Sequence, residues 1–307
     1  MEFHRLPRFK RASPVPPIEL TERDRAIIRL VYQHRFLRSD QIVALRGGSP
    51  QQILRRLQLL YHHGYLDRPR SQLDYYHRGG SKHIVYGLGS KSGALLKQGS
   101  LAVPSGSGSN RAVGRVFLEH ALLISEVMVA LELACRANGH VRLMYEDQLG
   151  LQTERRPFQW KVQTQEGLRL TVIPDRMFAL EFSDSDGGRE RAYFFLEADR
   201  GTMPVTRRTL SQTSFRRKLI AYEATWTRDL HRTLVGIPRF RVLTVTTSAA
   251  RVKSLVEACS RLKRGHGLFL FADRSILKDV FAKTWQTGRP GETVGLLDLP
   301  KPANPPA

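Results

Sequence analysis

Apolar and polar positions along the first third of the chain repeat with a helical period three times. Leu20 to Phe36, "LTERDRAIIRLVYQHRF", spaces Ile27, Ile28, Leu30 and Val31 as one face of an amphipathic helix, and Thr21 followed three residues on by Asp24 reads as a capping box. A short second helix is predicted over "DQIVALR", capped by Ser39 and ended by Gly47 and Gly48, because glycine enters a left-handed turn cheaply. Ser49, Pro50 and Gln52 supply an N-cap, a first-turn proline and a capping-box glutamine for a third helix, "SPQQILRRLQLLYHHG", which Gly64 closes. Its apolar stripe of Ile53, Leu57 and Leu60 leaves Gln51, Gln52, Arg55, Arg56 and Gln58 to other faces. Two strands are expected next, around Tyr65 to Arg70 and Lys82 to Leu88, with a basic segment containing Gly79 and Gly80 between them. Three helices and a hairpin in this order predict a winged helix-turn-helix over residues 18–97.

Periodicity is lost over "QGSLAVPSGSGSNR", whose glycines and serines predict a flexible linker at 98–112. It resumes in a long apolar-periodic helix, Val116 to Ala137, followed by strands at His140 to Tyr145, Leu168 to Leu180 and Arg191 to Asp199. A helix from Ser214 to Arg228, a strand at Arg239 to Thr246, a helix at Ala250 to Leu262 and a strand at Gly267 to Ala272 complete a second domain at 113–290. This alternation predicts a mixed sheet with helices on its faces. The proline-rich end, 291–307, is expected to be a flexible tail.

Charge changes the picture most. The 307 residues carry 49 Lys and Arg against 28 Asp and Glu, a net charge of +21 and a pI of about 10.7, which points to a polyanionic partner, with DNA the leading candidate. Residues 1–100 hold 18 basic and 7 acidic residues, so half of the excess sits on the first third. Arginine pairs with guanine edges, glutamine with adenine, and both reach phosphates, so the third helix suits the major groove of duplex DNA. Arg68, Arg70, Arg78, Lys82 and His83 would let the hairpin grip the phosphate backbone. The alternative for this region is a protein-binding module with a solvated basic face. Cys135 and Cys259 are the only cysteines, which excludes a disulfide framework and a cysteine-built zinc site. No apolar run has the length of a membrane span or the layout of a secretory leader, so a cytoplasmic location is expected.

The candidate chemistry lies in the second domain. "TVIPDRMFAL" puts Asp175 beside a proline that must interrupt a strand ladder. In "YFFLEADRGT" the two-residue alternation puts Glu197 and Asp199 on one face with Tyr193 and Phe195. Neighbouring strands would gather three carboxylates, and such a cluster needs a cation; magnesium, held by Asp175, Glu197 and Asp199, could bring a hydrolytic water to a phosphodiester. On the following helix Lys218 shares a side with Phe215, Tyr222 and Trp226, where it could neutralise the acids or stabilise charge on a phosphate in transit. The alternative is a structural ion network of Glu197 and Asp199 with Arg200, Arg207, Arg208 or Arg217. Glu126 could join the acids from the long helix, and a rim of Arg200, Arg207, Arg208, Arg216 and Arg217 could hold phosphate.

These residues resemble the PD-(D/E)xK nuclease superfamily: Pro174 and Asp175 are similar to its PD, Glu197 to its second acid, and Lys218 with Tyr222 to its Q-x-x-x-Y helix motif, with lysine for glutamine. Asp199 stands where the superfamily's lysine usually stands, and Lys218 is the position to which that lysine would have migrated. The chain from "LTERDRAIIRLVYQHRFLRSDQI" through "PDRMF" and "FLEADRGT" to "RRKLIAY" resembles the replication-relaxation family of plasmids and mobile elements. That resemblance implies an α+β protein, a winged helix followed by a restriction-endonuclease-like αβββαβ domain. It implies a DNA-binding accessory protein in replication, relaxation or mobilisation, whose nuclease-like domain could be degenerate and without magnesium, with relaxase or replication proteins as partners. The alternatives are an active magnesium-dependent endonuclease, with Asp175, Glu197, Asp199 and Lys218 catalytic, and a winged-helix transcriptional regulator.

Overall fold

A computed structural model describes residues 7–73, 83–98, 110–151, 158–164, 166–183 and 188–298. It is a mixed α+β protein with several sheets, and it divides into two compact units, Met1–Val129 and Ala130–Ala307.

In the first unit, helix α1 (Glu22–His34) starts at the capping box, with Thr21 and Asp24 exchanging hydrogen bonds, and buries Ile27, Ile28 and Val31. A short strand β1 (Phe36–Arg38) leads into α2 (Ser39–Arg46), which ends at Gly47 with φ +67°, the left-handed geometry that glycine tolerates. Helix α3 (Pro50–His62) has Ser49 as N-cap and buries Ile53, Leu57 and Leu60. Strands β1 and β2 (Leu66–Asp67) flank β3 (Val85–Leu88) in a three-stranded antiparallel sheet of order β1-β3-β2. Between β2 and β3 the buried Gln72 pairs through its amide with both backbone groups of Val85, at 3.0 and 2.8 Å, in place of a strand partner. The basic stretch that includes Arg78 and Lys82 lies outside the described residues, as does most of the expected linker. Helix α4 is Ser92–Gln98.

The long helix α5 (Arg115–Asn138) begins one residue before the expected start, and the division between the units falls within it, after Val129. Leu118, Ala121 and Leu122 on its first turns pack with Phe36 and Val85 of the first unit.

The second unit is built on a seven-stranded sheet of order β12-β11-β10-β9-β8-β7-β4. Its strands are β4 (Val141–Tyr145), β7 (Arg176–Ser183), β8 (Arg189–Ala198), β9 (Arg241–Thr246), β10 (Phe269–Asp273), β11 (Trp285–Thr287) and β12 (Thr293–Val294). A separate two-stranded sheet pairs β5 (Trp160–Gln163) with β6 (Arg169–Val172). The single strand expected over Leu168 to Leu180 is therefore two strands in two sheets, broken at Pro174, which has no N–H to give a ladder. Pairs β4–β7 and β7–β8 are antiparallel, while β8–β9 and β9–β10 are parallel. Each parallel pair needs a crossover, and α6 (Phe215–Thr227) and α7 (Ala249–Ser260) lie in those two connections.

One sheet face carries Met177 and Ala179 of β7, Phe195 of β8, Val242 of β9, and Phe269 and Phe271 of β10. They form one buried cluster with Phe215, Leu219 and Tyr222 of α6 and Val252 and Leu255 of α7. The Trp160 indole donates to Thr225 Oγ1 at 2.9 Å, which ties the two-stranded sheet to α6. No helix among the described residues is long and apolar enough to cross a membrane.

Candidate functional site

Register brings the acids together. Arg176 lies opposite Leu196 in the β7–β8 ladder, so Asp175 stands next to Glu197 at its end, and the backbone N–H of Asp175 donates to the Leu196 carbonyl at 3.0 Å. The Asp175 carboxylate then accepts from the Ala198 N–H at 2.7 Å, which extends the pairing by one side chain past the point where Pro174 ends it. Glu197 is 2% exposed, on the face covered by α6. Its Oε1 accepts from the Tyr222 hydroxyl at 2.6 Å and its Oε2 from the Lys218 ammonium. Lys218 and Tyr222 are four residues apart on α6, one turn, so both donors reach the same carboxylate from one helix face.

Burial penalises the charged form and pushes the Glu197 carboxyl from 4.5 up to about 6; the Lys218 charge pulls it down and the Asp175 charge pushes it up. Burial alone would pull Lys218 down, but the charges of Glu197 and Asp175 outweigh it and hold the ammonium above its ordinary range. Burial, followed by the Glu197 charge, raises Tyr222 well above the usual phenol value, so its proton stays on the hydroxyl as a donor. Asp175, Glu197, Lys218 and Tyr222 thus form one electrostatic unit.

Asp199 acts on this unit only through its charge, which adds to the hold on Lys218. Its carboxylate receives a two-pronged contact from Arg251 of α7, Nε at 2.8 Å and Nη2 at 3.2 Å, plus the Thr246 hydroxyl at 2.8 Å and the Gly201 N–H at 3.2 Å. Asp199 is thus in a buried ion pair, and its partner is Arg251, which the ion-network alternative did not name. Arg251 lies 52 residues away in sequence, and its only signal was a carboxylate where a lysine was expected. Two hard carboxylate donors, Asp175 and Glu197, suit magnesium, which takes one or two carboxylates and completes its shell with water and phosphate. Among the described residues no group of three or more His, Cys, Asp or Glu side chains could hold a metal ion. Glu126 is paired with Arg38 within the first unit. Of the arginine rim, Arg207 and Arg208 are exposed and Arg200, Arg216 and Arg217 are half-buried.

On the first unit, α3 exposes Gln51, Gln52, Leu54 and Arg55, with Leu54 at 45%. Gln52 accepts from Arg23 at 3.0 Å. Arg56 turns towards α1, where it binds the fully buried Asp24 with its Nε at 2.8 Å and the Glu19 carbonyl at 2.9 Å. Burial pushes the Asp24 carboxyl up, but its hydrogen bonds from Arg56 and Thr21 outweigh that and hold it below the ordinary value. Arg68 is 4% exposed, stacked over Tyr61 and Tyr86 at 4.1 and 5.1 Å, which takes it off the surface the sequence reading assigned it to. Arg70 is exposed.

Residues 28–237, more than half of the chain, match the family described as Replication-relaxation. The chain belongs to the replication-relaxation family, and membership ties it to the replication or relaxation of plasmid or mobile-element DNA. No curated protein and no solved structure matches it.

Proposed function

We propose that this is a DNA-processing protein of plasmids or mobile elements, acting in the cytoplasm. In this reading the first unit grips duplex DNA as a winged helix, and the second cleaves a phosphodiester as a PD-(D/E)xK-type site. The observation that carries it is the meeting of Asp175 and Glu197 with Lys218, from two strands and a helix, at one end of a sheet. Asp175 and Glu197 would hold magnesium, which when bound supplies Lewis-acid charge to a phosphoryl oxygen. Lys218 provides a fixed positive charge beside the phosphate, where negative charge builds in the transition state. Tyr222 holds the Glu197 carboxylate in one orientation. The arginine rim would carry the flanking phosphates, and Gln51, Gln52, Leu54 and Arg55 would face the groove of the duplex.

Labelled duplex and single-stranded oligonucleotides incubated with magnesium test this reading. Wild type should cut at least one of them, and Asp175→Asn and Glu197→Gln should lower the rate by about a hundredfold or more while DNA affinity stays within about twofold. Equal rates in all three proteins would remove the site from catalysis. A second reading, an accessory DNA-binding protein that does not cleave, is favoured by one feature: both Glu197 oxygens already have donors, Lys218 and Tyr222. Binding without cleavage in every protein, wild type included, would select it.

A further inference from the structure

Asp199 sits two residues after the second acid, in a place where a lysine would serve the chemistry, yet its carboxylate is spent on Arg251, Thr246 and Gly201. The ion pair is buried, with 15% of the Arg251 side chain and 4% of the Asp199 side chain exposed. Removing two charges from water is costly, and further hydrogen bonds to both partners offset that cost here. The same Arg251 guanidinium also donates through Nη2 to the Met203 carbonyl at 2.6 Å. Arg251 therefore fastens both the end of β8 and the loop that leaves it.

That loop caps α6. Ser214 makes no side-chain hydrogen bond to the helix start, and the first two amides of the helix are satisfied from elsewhere. Phe215 N–H donates to the Pro204 carbonyl and Arg216 N–H to the Val205 carbonyl, both at 2.9 Å. Lys218 follows three residues after Phe215, within the first turn. A continuous path thus runs from Asp199 through Arg251, Met203, Pro204 and Val205 into the helix that delivers Lys218 to Glu197. Gly201, with φ +71°, allows the loop to turn back under Thr247, where a Cβ would come within 3.2 Å of the hydroxyl.

We propose that Asp199 and Arg251 are positioning residues: by clamping loop 199–205 they set the start of α6 and so hold the Lys218 ammonium on Glu197. The proposal rests on the reading of Glu197 and Lys218 as the working pair, but its test needs neither DNA nor metal. Through-space proton NMR on selectively labelled protein would measure the contact between the Lys218 and Glu197 side chains in wild type, Asp199→Asn and Arg251→Lys, with the Tyr222 contact to the same carboxylate as the internal reference.

Asp199→Asn should lose most of the Lys218 contact while the Tyr222 contact persists. Arg251→Lys keeps a positive charge beside Asp199 but cannot span both the carboxylate and the Met203 carbonyl, so it should fall between wild type and Asp199→Asn. Should Asp199→Asn fail to fold, Arg251→Lys decides alone. Folded variants with lower melting temperatures and an undiminished Lys218 contact to Glu197 would overturn the proposal, because a merely structural clamp would act on stability only. Absence of DNA cleavage in wild type would count against the nuclease reading and leave this result intact.

Discussion

Glu197 is an acid at 2% exposure, held in the core by two donors, Lys218 and Tyr222, against the charge of the neighbouring Asp175. Its pKa in the folded chain, about 6, lies above the ordinary 4.5, so the folded state holds the proton more tightly than the unfolded state does. The stabilisation from this group is therefore full below about 4.5 and is lost as pH rises through about 6. A shift of this size corresponds to about 2 kcal/mol. Chemical denaturation of wild type and Glu197→Gln over that range should show the stability difference between them falling by about this amount, in favour of the variant at high pH. A difference that stays flat with pH would mean that Glu197 is not desolvated as described. Asp199 needs a separate account despite lying two residues away, because its charge is balanced by Arg251 on another helix.

At the scale of elements, α3 has two faces with separate duties. Arg55 points to solvent, whereas the adjacent Arg56 closes a buried ion pair that joins α3 to α1. Arg55→Ala should leave the melting temperature nearly unchanged, within about 0.5 kcal/mol of stability, and weaken DNA binding with a shallower dependence on salt. Arg56→Ala leaves the Asp24 carboxylate buried without its cation and should cost about 3 kcal/mol. The reverse pattern in calorimetry and binding titrations would contradict this division of labour. The starts of α1 and α3 were legible in the sequence because caps are local: Thr21 with Asp24, and Ser49 with Pro50, sit within one turn of what they cap, whereas Ser39, expected to cap α2, is its first helical residue behind Arg38. Strands β1, β5, β11 and β12 were not, because each has only two to four residues and exists through partners distant in the chain. The convergence of Asp175, Glu197 and Lys218 was readable from two-residue alternation and helical spacing once neighbouring strands were assumed. Arg68 was misread because a basic residue in a hairpin looks solvated until the two tyrosine rings that cover it are known.

For the whole molecule, an excess of 21 positive charges shared between the first third and the rest suits a partner that is a continuous polyanion. In the proposed reading the two units would bring different means to it: an exposed helix face of glutamine, leucine and arginine in one, and the Glu197 and Lys218 site in the other. The central claim is that the second of these acts on the backbone of DNA. Conversion of supercoiled plasmid to the open-circular or linear form in magnesium, by wild type and Lys218→Met with DNA binding measured on the same samples, tests it most directly. The account predicts conversion by wild type, abolished in Lys218→Met at unchanged affinity. Conversion that proceeds equally in both proteins, or in neither while both bind, would contradict it.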